Sequence, residues 1–165
     1  MKKTMSYIAF FVVMVLLISA YSQRVVKSEK GYTAPEIEAL DNDSAHISLN
    51  SLRGKYVLVN FWDSNNAVSR IAAGEYDRFS KDLNDNSLRL FSVNTDENKK
   101  LFREIVKKDN LDESTQFHID EAKAKNLRAD YRLEQGFSSY LVDPQGKIVA
   151  VNPPVKTLES YLAQK

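Results

Sequence analysis

The 165-residue chain contains no cysteine. That absence excludes a disulfide, a thiolate nucleophile, a cysteine-ligated metal and all thiol redox chemistry. It also excludes a lipid anchor on cysteine. A charge excess is missing as well: 23 basic residues face 22 acidic ones, for a formal net charge of +1. A dedicated nucleic-acid binder would show a basic excess or stripe, so no nucleic-acid partner is expected. Histidine is scarce, with only His46 and His118. Two such residues without motif context fall short of the three or four ligands of a metal site, and no metal or cofactor is expected. There is no internal repeat and no low-complexity segment. Aromatic residues make up 10% of the chain, which argues against disorder, and the length suits one domain with its own core.

What is present begins with a positive start at Lys2 and Lys3 and an unbroken apolar run from Ile8 to Ile18. Ser19, Ala20, Tyr21 and Ser22 follow. Residues 1–22 therefore read as a secretory signal peptide with a small-residue cleavage site, or as an uncleaved N-terminal anchor. Residues 5–21 lie at the short end of the roughly 17–25 residues that span a bilayer, so a membrane tether through them stays open. Either reading puts the domain outside the cytoplasm, where it must hold together by its core alone. Residues 23–32 are polar and unpatterned and read as a linker. Residues 33–165 carry globular patterning to the end.

Four segments read as strands. Val57–Trp62 and Leu88–Val93 are nearly continuous apolar runs, as expected of strands buried on both faces. Ser139–Val142 and Lys147–Val151 flank Asp143–Pro144–Gln145–Gly146, in which Pro presets φ and Gly ends the turn, so the pair reads as an antiparallel hairpin. A weaker strand is expected at Gln116–Ile119, and segments around Ile37 and Ile47 suggest an N-terminal β-hairpin. Helical spacing predicts a helix capped by Asp63 or Ser64 and reaching about Leu83, with Ala67, Ile71, Tyr76 and Phe79 on one side. Further helices are expected over 99–108, 121–131 and 155–162. The order is that of an α/β domain: a mixed central β-sheet flanked by helices.

These residues carry a resemblance. Ala34–Pro35–Glu36–Ile37 resembles the opening of the peroxiredoxin/TlpA-like group. Leu52–Arg53–Gly54–Lys55–Tyr56, continuing through Val57–Trp62, is very similar to the stretch that leads into that family's active site. Asp143–Ile148 is similar to its later hairpin. In order and spacing, residues 33–162 resemble a TlpA/ResA-like, AhpC/TSA-related member of the thioredoxin superfamily. The resemblance implies a thioredoxin-like fold, export into a bacterial envelope (the periplasm or the periplasmic face of the inner membrane) and descent from enzymes that reduce or rearrange disulfides.

The departures from the family decide the expected function. Its Cys-x-x-Cys positions fall on Asn66 and Ser69 here, with the following arginine kept as Arg70. Its cis-proline position falls on Phe137, followed by Ser138. A cis bond before a non-proline residue costs about 2.5–4 kcal/mol, so the bond before Phe137 is expected to be trans. No catalytic residue is expected, since Ser69 has no base and orienter in view. An enzymatic alternative would have to work without a thiol, and an architectural role in an envelope complex is a third reading. The expected function is binding: a partner protein or extended peptide in the former substrate groove, near Trp62, Asn65, Asn66, Arg70, Phe137 and Ser138. Asn65 and Asn66 can bind a carboxylate, a backbone segment or an anion, or simply cap the helix. Trp62 fits either the core or the groove. Asp96–Glu97, Asp109 and Asp112–Glu113 read as caps and solvated faces, and Lys99–Lys100 with Lys107–Lys108 as the wet side of one helix.

Overall fold

A computed structural model of the chain describes residues 7, 11–14, 28–41, 45–83, 86–119 and 121–163. Tyr7 and Phe11–Met14 are helical and exposed. The rest of residues 1–22, where a leader or tether is expected, lies outside the described residues. Among the described residues no helix is long and apolar enough to cross a membrane.

The element order is β1 (Glu38–Leu40), β2 (His46–Ser48), β3 (Tyr56–Trp62), α1 (Ala67–Asp82), β4 (Leu88–Asn94), α2 (Lys99–Lys108), β5 (Gln116–His118), α3 (Glu121–Asp130), β6 (Ser139–Val142), β7 (Ile148–Val151) and α4 (Val155–Leu162). The seven strands form one sheet in the order β2-β1-β5-β4-β3-β6-β7. β4 pairs parallel with both β3 and β5, and the remaining neighbours are antiparallel. The expected mixed sheet, N-terminal hairpin and late hairpin are all present. In the late hairpin the Gly146 amide donates to the Asp143 carbonyl (2.9 Å), and Gly146 holds φ at 87°.

β3 reads as an unbroken apolar run because it is central and covered on both faces. Alternate side chains go to opposite sides. Val57, Val59 and Phe61 join a core with Phe91, Phe117, Leu127 of α3 and Tyr140. Leu58 packs on the other side with Tyr76 and Phe79 of α1 and Leu158 and Leu162 of α4. Trp62 continues that side with Ala73 of α1 and Phe102, Ile105 and Val106 of α2. Each such side chain, fully buried, contributes about 1.5–3 kcal/mol, which is how a domain without staples is held.

Three local expectations change. The buried stripe of α1 is Ser69, Ala73, Tyr76, Asp77 and Phe79, while Ala67 and Ile71 are exposed. The reason is the helical turn: Ile71 sits two residues, or about 200°, from Ala73. The helix is capped by Asn66, not by Asp63 or Ser64. And residues 28–32 are not a free linker end. The Gly31 amide donates to the Ile148 carbonyl (2.7 Å) and the Ile148 amide donates to the Tyr32 carbonyl (2.9 Å), so the segment covers part of the open edge of β7.

Candidate functional site

The site is the C-terminal end of β3, where the chain turns from Trp62 through Asp63–Asn66 into α1. A helix start leaves backbone N–H groups without intrahelical partners and concentrates positive potential. Asn66 supplies the cap: its side-chain oxygen accepts from the Ser69 amide at 2.8 Å. Ser69 answers by donating its hydroxyl to the Asn66 carbonyl (3.0 Å), and its Oγ accepts from the Asp63 amide (3.2 Å). Asn66 and Ser69, the two positions on which the resemblance places the thiols, are therefore in direct contact, and their polar atoms serve the turn. Ser69 is only 3% exposed and has no base on its hydroxyl, which leaves it a structural serine.

The loop at Gly136–Ser138 reaches the same end of β3. The Phe61 amide donates to the Ser138 carbonyl (3.3 Å), one step beyond the Asn60–Ser139 pair of β3 and β6. Phe137 is half-buried against the core shared with α3, and the peptide bond before it is trans. Asn65 is exposed beside the cap, with its amide donating to Asp63 Oδ1 (2.9 Å). So Asn65, Asn66, Ser69, Phe137 and Ser138 are gathered at one end of the sheet.

Two expected groove residues are not surface ligands. Trp62 is fully buried and packs on Phe102 with ring centroids 6.0 Å apart. It faces the α1–α2 side because the strand's alternation puts it there. Arg70 is committed to Asp109: Nη2 donates to Oδ1 at 2.7 Å, Nε donates to Oδ2 at 3.0 Å, and Nη1 reaches the Ser64 carbonyl at 3.5 Å. It fastens α1 to the end of α2. Asp109 is thus more than a solvated acid, whereas Asp112 caps a short 3-10 turn as expected.

Asp96 departs furthest from its reading as a cap on a solvated face. It is 5% exposed, and Asn98 caps α2 instead. Asp96 Oδ1 accepts from the Ser64 amide (2.9 Å), Oδ2 accepts from Asn94 Nδ2 (2.9 Å) and from the Ser64 hydroxyl, and its carbonyl contacts His118 Nε2 (2.8 Å). It ties the loop after β4 to the loop that opens α1. Asp63, which sequence reasoning considered only as a cap, stands beside it. Its carboxyl is held above the ordinary aspartate value, first by burial and then by the Asp96 charge, with the Asn65 amide and Arg128 working the other way. Asp96 is 32 positions from Ser64, and no motif links them. His46 is exposed on β2 while His118 is 4% exposed on β5, with Leu40 of β1 between them. Strand spacing puts them about 10 Å apart. Among the described residues no group of three or more metal-ligating side chains comes together.

Fold and site together define a thioredoxin-like domain. The chain belongs to the AhpC/TSA family, whose model matches residues 31–151. Similar solved structures are the thioredoxin domain of a thiol-disulfide oxidoreductase from Bacteroides vulgatus, a thioredoxin-like protein from Parabacteroides distasonis and a thiol:disulfide interchange protein from Bacteroides sp. The first is 26% identical over 82% of this chain and 99% of that one, with a TM-score of 0.74. The second is 32% identical over 82% and 95%, with a TM-score of 0.69. The third is 26% identical over 83% and 92%, with a TM-score of 0.74. No curated protein matches the chain. It is a relative of the TlpA/ResA/DsbE-like proteins that lacks the catalytic dithiol, and the thiol exchange named for two of these structures cannot run on a chain without cysteine.

Proposed function

We propose that this protein is a redox-inactive binding member of its family, exported to the bacterial envelope, and that it holds a partner protein or extended peptide at the start of α1. The observation that carries the reading is an apolar patch at that point. Val68 is 78% and Ile71 is 62% exposed, on adjacent faces of the first turns of α1 next to Asn65 and Asn66. Val68 lies between the two former thiol positions. A partner that covered these two side chains fully would gain about 1.5–3 kcal/mol from each. The cap beneath them is satisfied by Asn66 and Ser69, so the patch is presented on a fixed helix start. Export is supported by the Lys2–Lys3 start and the apolar run that follows.

The test is site-specific photocrosslinking in envelope fractions, with the probe at Val68 and a control probe at exposed Glu159 on α4. The expected result is a discrete adduct from Val68 only, lost in Ile71→Asp while circular dichroism stays unchanged. Equal adducts from both positions, or none from Val68, would count against the site. Turnover in an insulin-reduction or peroxide-consumption assay would overturn the redox-inactive part of the reading.

A further inference from the structure

We propose that the outer face of α2 docks on an anionic phospholipid surface, an interaction separate from the binding site at the start of α1. The helix is sharply two-sided. Phe102, Ile105 and Val106 are buried with Trp62 and Ala73. Lys100, Arg103, Glu104, Lys107 and Lys108 are exposed on the other side. With Lys99, five cations and one acid give these ten residues a charge of +4, whereas the whole chain carries +1. The rest of the chain therefore stands at −3, so positive charge is gathered on one helix of an otherwise acidic molecule. Helix stability does not account for it. Lys107 and Lys108 suit the negative end of the helix dipole, but Lys99 and Lys100 sit at the positive end, in a first turn that holds no acid. Nearby acids do not neutralise the face. Glu104 reaches Lys100 only at 3.9 Å, with both side chains well exposed, and such pairs are weak. Asp109, at the end of the helix, is taken by Arg70.

Two observations favour lipid headgroups over a polypeptide. Protein interfaces are anchored by large aromatic or apolar side chains. Among the described residues none of the exposed large apolar side chains lies on α2. A headgroup layer needs only charge, spread over a surface. The second observation is the apolar run from Ile8 to Ile18, within which Phe11–Met14 are helical and uncovered, Phe11 by 68%. Held in a bilayer, that run brings the domain to the membrane surface. The chain from Ile18 to Ser28 spans at most about 35 Å when fully extended. Residues 28–32 lie along β7, and four strand spacings, about 19 Å, separate β7 from β5, into which α2 leads. The tether is long enough for α2 to meet the same surface.

Because the chain has no cysteine, one introduced cysteine carries a fluorophore at a unique place. The full-length protein labelled at Glu104→Cys on α2 is mixed with vesicles of phosphatidylcholine alone, or of two parts phosphatidylcholine to one part phosphatidylglycerol. Both contain phosphatidylcholine with a nitroxide on its headgroup, which quenches at contact range. The expected result is quenching on the phosphatidylglycerol vesicles only, lost near ~1 M salt, where the screening length falls to about 3 Å. A label at exposed Asn126→Cys on α3, on the opposite face of the sheet, should stay bright. Adding Lys100→Gln, Lys107→Gln and Lys108→Gln should lower the ratio of docked to undocked α2 by about fivefold per cation, roughly a hundredfold in all, with circular dichroism unchanged. No quenching at position 104, equal quenching on both vesicle types or at both labels, or quenching that survives high salt would overturn the proposal. So would a label at position 104 that ignores the vesicles but responds to poly-glutamate, which would make the partner an acidic polypeptide. The comparison of the two vesicle types decides the matter even where the triple variant fails to fold.

Discussion

Restoring two cysteines is the sharpest perturbation of this scaffold. In Asn66→Cys/Ser69→Cys the cap from Asn66 to the Ser69 amide is lost, a change that costs about 1 kcal/mol at a helix start. The Ser69 hydroxyl also leaves the Asp63 amide and the Asn66 carbonyl, adding about 1–3 kcal/mol at a site that is 3% exposed. The reduced double variant should therefore be about 2–4 kcal/mol less stable than wild type. Closing a loop of about four residues returns about 2 kcal/mol on oxidation. Urea denaturation with and without reductant reads both values, and thiol titration after air oxidation counts the free sulfhydryls. The expected outcome is no free thiol, partial recovery of stability on oxidation, and negligible insulin reduction until Phe137→Pro is added. Thiols that stay free under oxidising conditions would refute the claim that positions 66 and 69 keep the spacing of a dithiol.

Other consequences are narrower. Gly146→Ala should cost about 1–2 kcal/mol by urea denaturation, because φ of 87° strains any side-chain residue and the new Cβ falls 2.8 Å from the Arg53 guanidinium that holds the Gln145 carbonyl. Arg70→Ala should cost about 1 kcal/mol, as a part-exposed ion pair does, and leave the Val68 crosslink intact; loss of the crosslink with a normal fold would return Arg70 to the binding surface. Tyr131→Phe removes the hydroxyl that donates to the Pro35 carbonyl (2.6 Å) and should cost about 1 kcal/mol near pH 7. Burial holds that phenol well above the ordinary value of 10.0, with Tyr140, Glu36 and Asp130 adding to it. Wild type should thus lose stability as pH climbs beyond that value, and Tyr131→Phe should flatten the loss in alkaline urea titrations.

Much of the architecture was legible along the chain. The apolar run at Val57–Trp62 announces the central strand, and Asp143–Gly146 announces its hairpin, because both signals are local. Ile71 misled for the same reason. It fits a loose apolar side of α1, yet the helix turns it to solvent, and only the stripe from Ser69 through Phe79 meets the sheet. Asn66 was visible as a capping residue, whereas its bond to the Ser69 amide needed the turn to be seen closed.

The sequence alone determined that no thiol chemistry can occur, since composition leaves no cysteine anywhere to perform it. It also pointed to Asn66 as a capping residue, because a cap is a local signal at a helix start. Only the tertiary structure decided that Ser64 and Asp96 meet, that Arg70 belongs to Asp109 across 39 positions, and that Trp62 is sealed inside. Those contacts depend on β3 and β4 being parallel neighbours with Trp62 beside Asn94, which delivers the loops after both strands to one end of the sheet. Periodicity marks which face of an element is buried. It leaves no trace of which loop a polar side chain will find once the strands are side by side.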